Sequence, residues 1–283
     1  MKNIKLMYIT NQPCVALVAE KNGVDRIFVD MEFIGKDLRQ GGMDTVQSRH
    51  TLSDVKNIRK VLTKSELLVR ANPVHDAIAS FSSTEDEING IIESGADIIM
   101  LPYFKTAKEV ERFIKAVDGR AKTLLLFETV AAYENADEIL TLSGIDEVFI
   151  GLNDLSLDFG KQFMFELLVD GTVEKLCDKF KAKGIPFGFG GIATPGAQVP
   201  LPAERILKEH YRLGSTCVIL SRSFCNAQKL STDELEVQFA DGMAKIRESE
   251  REAEWLYREY PKALDKNHKE IVDIIDACVG AAL

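Results

Sequence analysis

Two carboxylates carry the most specific chemistry in this 283-residue chain. Glu128 follows the apolar run Leu124-Leu125-Leu126-Phe127, and Asp154 comes shortly after Val148-Phe149-Ile150-Gly151. Each stands where a buried strand runs out, a place where an unpaired acid is costly and calls for a compensating partner. A divalent cation shared by the two is the simplest such partner. Two carboxylates leave most positions of a hard ion to water.

The elements that must position these acids follow a repeating plan. Short runs rich in Val, Ile, Leu and Phe, near 4–9, 25–30, 66–71, 97–101, 122–128, 145–151, 185–189 and 215–220, alternate with stretches of helical period. That is the signature of a parallel sheet covered on both faces. Capping boxes at Thr84-x-x-Glu87 and Thr106-x-x-Glu109 open two of the helices, and Thr51-Leu52-Ser53-Asp54 opens another. Gly95, Gly144, Gly184 and Gly214 recur just before strands, where a helix must end and the chain turn back. Eight such units match an α/β fold of the (β/α)8 TIM-barrel type, and Asn11-Gln12-Pro13-Cys14 is no glycine-rich phosphate loop of an open doubly wound sheet. The expected division is a catalytic barrel over 1–229 and a helical extension over 230–283. The extension begins with the capping box Ser231-x-x-Glu234 and a helix over 231–260, with Leu235, Phe239, Met243 and Ile246 on one face and Pro261 at its end. The apolar segment 271–278 either closes the bottom of its own barrel or meets a neighbouring subunit.

Active sites of this fold gather where the strands end. There the sequence sets Asp30 and Glu32, Arg70, Pro102, Glu128, Asp154 with Gly151, Leu152 and Asn153, the pair Gly190-Gly191, and Ser221 with Arg222. A structural ion-pair network is the competing account for any one of these residues, whereas their convergence on one rim favours a site. The turn-rich loop 194–202 reads as a shaper of specificity or a plain connector, and the charges of 203–214 read as a solvated helix face. A formal net charge of -9 disfavours nucleic acid and anionic membrane as partners. Five cysteines without a CxxC pair suggest neither a disulfide framework nor a zinc knuckle, which fits a reducing cytoplasm. No signal-peptide core or bilayer-length apolar run is present in the sequence.

The blocks VDME (29–32), LLVRANP (67–73), ESGADIIMLPYFKTAKEV (93–110), LLFETVAAYENADEIL (125–140) and GIDEVFIGLNDLSLDFG (144–160) resemble, in order and spacing, the HpcH/HpaI aldolase/citrate lyase family. The resemblance implies Mg²⁺ or Mn²⁺ held by Glu128 and Asp154. It also implies carbon–carbon bond cleavage or formation next to a 2-oxo acid or an acyl thioester, with Arg70 sharing the enolate charge. Asp30, Pro102, Gly151, Leu152, Asn153, Gly190, Ser221 and Arg222 are then the expected substrate contacts. The implied reaction is that of a class II aldolase cleaving or forming a 4-hydroxy-2-oxo acid through a pyruvate enolate, from a 2-oxo acid and an aldehyde. A homo-oligomer is expected by analogy with the fold. One departure stands out. The aldolase branch usually places a histidine after the strand-two glutamate, and this chain reads Asp30-Met31-Glu32-Phe33. His50, after an insertion over 34–49, is the preferred replacement, with His75 and Glu32 as other candidates for the proton. An acyl-CoA lyase and a binding or regulatory barrel without the histidine base are the two alternatives.

Overall fold

The computed structural model describes residues 3–35, 50–78, 81–221, 223–227 and 230–282. Arg222 and most of the insertion before His50 lie outside the described residues. Eight parallel strands close into a barrel in sequence order: β1 (Lys5–Ile9), β2 (Arg26–Asp30), β3 (Glu66–Arg70), β4 (Ile98–Leu101), β5 (Lys122–Phe127), β6 (Glu147–Ile150), β7 (Phe187–Ile192) and β8 (Cys217–Leu220). The helices are α1 (Pro13–Lys21), α2 (Leu52–Val61), α3 (Thr84–Glu93), α4 (Ala107–Val117), α5 (Val130–Glu134), α6 (Ala136–Ile139), α7 (Leu152–Asp158), α8 (Glu166–Val169), α9 (Thr172–Lys183), α10 (Ala203–Leu213), α11 (Thr232–Glu259) and α12 (Pro261–Ala282). The sequence expectation of a (β/α)8 barrel with C-terminal helices is met. Among the described residues no helix is long and apolar enough to cross a membrane.

Strand alternation divides the core into two shells. Met7, Phe28, Leu68, Ile98, Met100, Leu124, Leu126, Phe149 and Cys217 fill the barrel interior, while the residues between them face the helices. The same two-residue period then fixes what meets the mouth: Phe28 leads to Asp30, Leu68 to Arg70, Leu126 to Glu128 and Phe149 to Gly151. Across the sheet, Asp30 is in register with Arg70. At the opposite end the period gives Arg26, fully buried, which donates to both oxygens of Glu147 at 2.7 and 2.5 Å and to Glu66 at 2.9 Å. An apolar layer thus separates a structural ion cluster at the floor from the charged groups at the mouth.

Several sequence expectations require correction. The box at Thr106 and Glu109 forms, as do those at Thr51 with Asp54 and Ser231 with Glu234. The box at Thr84 does not. The N-cap of α3 is Ser83, which accepts the N–H of Asp86, while the Thr84 hydroxyl donates to the His75 carbonyl and Glu87 points inward. β7 continues past residue 189 through Gly190-Gly191, with an irregular register beside β8 and Gly190 at φ +56°. Glycine there allows a left-handed bulge inside a strand rather than ending it. Residues 203–213 form the expected helix, but their charges are not all solvated. Glu209 is buried against Arg212 and His268, and His210 is buried face to face on Phe189. Burial pushes the His210 imidazole down to about 3, so it stays neutral at physiological pH.

Leu235, Phe239, Met243 and Ile246 are the buried face of α11, which packs between α1 and α10. Pro261 both follows α11 and opens α12, a position suited to its fixed φ and missing N–H. Segment 271–278 lies within α12, and Ile271 and Ile275 are buried within this chain where α12 packs on α8, α10 and α11. It covers the outer helix layer rather than the bottom of the barrel.

Candidate active site

The mouth holds a cavity of about 540 Å³. Phe28, Met100, Leu126 and Phe149 of the inner layer form its floor, and Asp30, Arg70, Glu128 and Asp154 project into it from four loops and strand ends. Arg70 is the centre of charge. Its Nε and Nη2 each donate at 2.8 Å to the two oxygens of Asp30, a fork geometry only arginine supplies, and its Nη1 lies 3.3 Å from Glu32 Oε2. Its guanidinium also stands 5.6 Å from the centre of the Phe28 ring. Burial opposes its positive charge, but the carboxylates of Asp30, Glu32 and Glu128 outweigh burial and hold it well above the usual arginine range. Five donors serve three carboxylate oxygens here, leaving N–H groups for a substrate anion.

Glu128 is buried at the end of β5, and its Oε1 accepts the Tyr103 N–H at 3.0 Å. Tyr103 adopts φ +49°, a conformation strained for a non-glycine residue, and this turn after β4 directs its N–H to the carboxylate. Pro102, beside it, is buried and does not line the cavity. Asp154 sits in the first turn of α7, where the helix dipole favours an anion. Gly151 links the two acids. A Cβ built on it would lie 2.9 Å from Glu128 Cβ and 3.0 Å from Oε2. The missing side chain therefore keeps open the space beside Glu128. Gly151→Ala is expected to push the Glu128 side chain aside and narrow the cavity beside it, read as a displacement of Glu128 in a crystal structure of the variant.

Leu152, Asn153, Gly190, Gly191 and Ser221 line the same cavity. Gly190 belongs there because its left-handed φ is one that L side chains rarely adopt, and a Cβ on it would also press on the tip of Leu152. Glu32 does not line it: the side chain is enclosed behind Arg70. Of the four histidines only His50 lines the cavity. Its Nδ1 accepts the Asp30 N–H at 3.0 Å, so in the neutral ring the proton resides on Nε2. His75 is turned away, with its ring nitrogens 2.8 Å from the carbonyls of Pro73 and Ser82. Phe33 packs beside Phe81, ring centres 5.9 Å apart.

The sequence reading missed a polar rim. Thr10, Asn11 and Gln12 after β1, together with Asn226 after β8, line the outer part of the cavity. Asn11-Gln12-Pro13 directly after a strand was the available signal, because loops at that end of a barrel face the site.

The donor chemistry fits a hard divalent ion. Two carboxylates line one cavity, with the Gly151 clearance beside one of them, and among the described residues no group of three or more His, Cys, Asp or Glu side chains forms a closed metal cage. Such a pair leaves coordination positions for water and substrate.

Fold and rim together define a (β/α)8 barrel with an acid- and arginine-lined mouth at the C-terminal ends of its strands. Residues 5–184 match the HpcH/HpaI aldolase/citrate lyase family, and the chain belongs to it. The family is one of carbon–carbon lyases. The chain is 25% identical to a hydroxypyruvate/pyruvate aldolase of Roseobacter denitrificans, in a match covering 50% of this chain and 67% of that protein. Among solved structures, an HpcH/HpaI aldolase from Desulfitobacterium hafniense superposes with a TM-score of 0.59 at 17% identity, covering 87% of this chain and 93% of the other. A family protein from Burkholderia cenocepacia gives 0.60 at 14% identity, covering 78% and 90%. The citrate synthase SbnG gives 0.57 at 16% identity, covering 78% and 87%. At these identities the likeness is one of fold.

Proposed function

We propose that the protein is a divalent-metal-dependent aldolase that makes or breaks the C3–C4 bond of a 4-hydroxy-2-oxo acid, with pyruvate or a close 2-oxo acid as the enolate component. The convergence of Glu128, Asp154 and Arg70 on one cavity carries this reading. The relative from Roseobacter denitrificans, named for hydroxypyruvate and pyruvate, points to the same substrate class.

Glu128 and Asp154 would hold Mg²⁺ or Mn²⁺, which supplies Lewis acidity toward the 2-oxo acid when bound. Arg70, fixed by Asp30 and Glu32, directs its remaining N–H groups at the oxygen that becomes negative as the C3–C4 bond breaks. Because it is locked before substrate arrives, it stabilises that charge without reorganising. The apolar floor excludes water from the carbanion side and protects it from random protonation. His50, which lines the cavity with its Nδ1 engaged by the Asp30 N–H, would orient the oxygen on C4, and the proton of the 4-hydroxyl leaves to a water at the polar rim as the C3–C4 bond breaks.

Two measurements test this reading. Pyruvate in heavy water should exchange its methyl protons in the presence of protein and Mg²⁺ or Mn²⁺, and exchange that ignores added metal and chelator rejects the metal-dependent route. His50→Ala should slow aldol cleavage by about 10²-fold, the usual cost of losing a group that orients the reacting oxygen, with a much smaller effect on methyl exchange. Equal cleavage rates in variant and wild type would remove His50 from the mechanism.

A further inference from the structure

The end of β2 is fastened to β3 and α3 by a buried polar pair outside the cavity. Asn72 lies just beyond Arg70, and its Oδ1 accepts two successive backbone N–H groups, those of Phe33 and Ile34, at 2.8 Å each. Its own N–H and side-chain NH₂ both donate to one oxygen of Glu87, at 3.1 and 2.8 Å. Asn72 is 5% and Glu87 9% exposed, and Glu87 Oε2 makes no hydrogen bond among the described residues. A buried acid with one oxygen idle costs stability, and a well-packed apolar pair would fill this space at lower cost. What the polar pair adds is direction: one side-chain oxygen that binds two consecutive amides fixes the path of the chain leaving β2. That path carries Asp30 and Glu32, the two acids that grip Arg70.

We propose that Asn72 and Glu87 form a positioning clamp, which sets the exit of β2 so that Asp30 and Glu32 hold the Arg70 guanidinium at the angle the enolate requires. The inference rests on the aldolase reading of the cavity and assigns to that reaction two residues that do not line it. Asn72 acts as the adaptor. It turns the acceptor of Glu87 into an acceptor for the Phe33 and Ile34 amides, because an amide side chain donates at one end and accepts at the other.

Reversing the polarity of the pair tests the clamp. Asn72→Asp keeps an acceptor for the two amides but sets one carboxylate against another. Glu87→Gln keeps size and an acceptor for Asn72. In the double variant the amide at 87 donates to the carboxylate at 72, so the clamp is rebuilt with donor and acceptor exchanged. The readout is metal-stimulated pyruvate exchange at saturating pyruvate, pH 8. The expected kcat falls about 30-fold in N72D, stays within about 2-fold of wild type in E87Q, and returns to within about 3-fold in N72D/E87Q. The N72D deficit, taken as a ratio to wild type at each pH, should narrow toward pH 6, because a proton shared by the two carboxyls replaces the lost N–H. His75 is the other titratable group facing Glu87, and Asp30, Glu32 and Arg70 stand on the adjoining strand ends. All four are common to variant and wild type, so the ratio isolates the pair. Loss in N72D without rescue by E87Q would overturn the clamp, as would an N72D protein of wild-type rate. A wild-type protein without exchange would instead sink the aldolase reading and this inference with it.

Discussion

Glu128→Gln and Asp154→Asn should each abolish metal-stimulated exchange of the pyruvate methyl protons, lowering it by about 10³-fold or more, while leaving the fold intact. An amide preserves the size of each side chain and, at Glu128, an acceptor for the Tyr103 N–H. What it removes is negative charge on the oxygens that would face the ion, and hard cations bind neutral amide oxygen far more weakly in so small a ligand set. Stability should change little. Glu128 is buried but faces the Arg70 guanidinium, so neutralising it removes a desolvation cost and an attraction together, and the melting temperature of E128Q should stay close to that of wild type. Dead protein that melts no earlier is the signature of a ligand. Undiminished exchange in both variants would reject the assignment.

Arg70→Met should be equally inactive but for reasons that also reach the fold. Asp30 and Glu32 are nearly fully buried, and Arg70 bonds to both. Removing the cation takes their shared guanidinium from two buried acids, at a cost of up to about 3–5 kcal/mol, or roughly 10 °C in melting temperature for a domain of this size. Arg70→Lys keeps the charge and loses the fork. It should recover much of the stability and little of the activity, because one ammonium cannot satisfy both Asp30 oxygens while facing substrate. Calorimetric melts, beside exchange rates, separate these outcomes. A variant as stable as wild type would mean that the Asp30 and Glu32 charges have compensation elsewhere.

The contrast between these variants reflects what was legible in the sequence. Apolar runs ending in Glu128, Arg70 and Asp30 disclosed the barrel and its rim, because strand alternation is a rigid rule: once Leu126 faces inward, so does Glu128. Gly190 was read as lying beyond β7, whereas its left-handed backbone inside an irregular stretch of that strand is a property of the fold that residue type alone does not announce. Glu87 was assigned to a helix cap because its spacing from Thr84 fits that motif, yet Ser83 one residue earlier makes the cap and frees Glu87 for Asn72. Local motifs compete at adjacent registers, and tertiary partners decide between them. Glu32 looked available for proton transfer at the mouth, but its burial behind Arg70 is a property of two strand ends meeting. The tautomer of His50 depends on a backbone N–H twenty residues earlier in the chain. Neither could be read from residue type alone.

Phe33 in place of the usual histidine illustrates how such a site changes. Its ring leaves the cavity to pack by Phe81, and an imidazole from beyond the insertion faces the cavity instead. Position in space, rather than position in the motif, is what the C4 oxygen would sense.

Anomalous diffraction from a crystal soaked with Mn²⁺ and pyruvate tests the central claim most directly. One manganese peak between Glu128 and Asp154, with pyruvate beside it and its oxygens within reach of Arg70, is the expected result. A peak elsewhere, or full pyruvate occupancy with no manganese between those two acids, would contradict it.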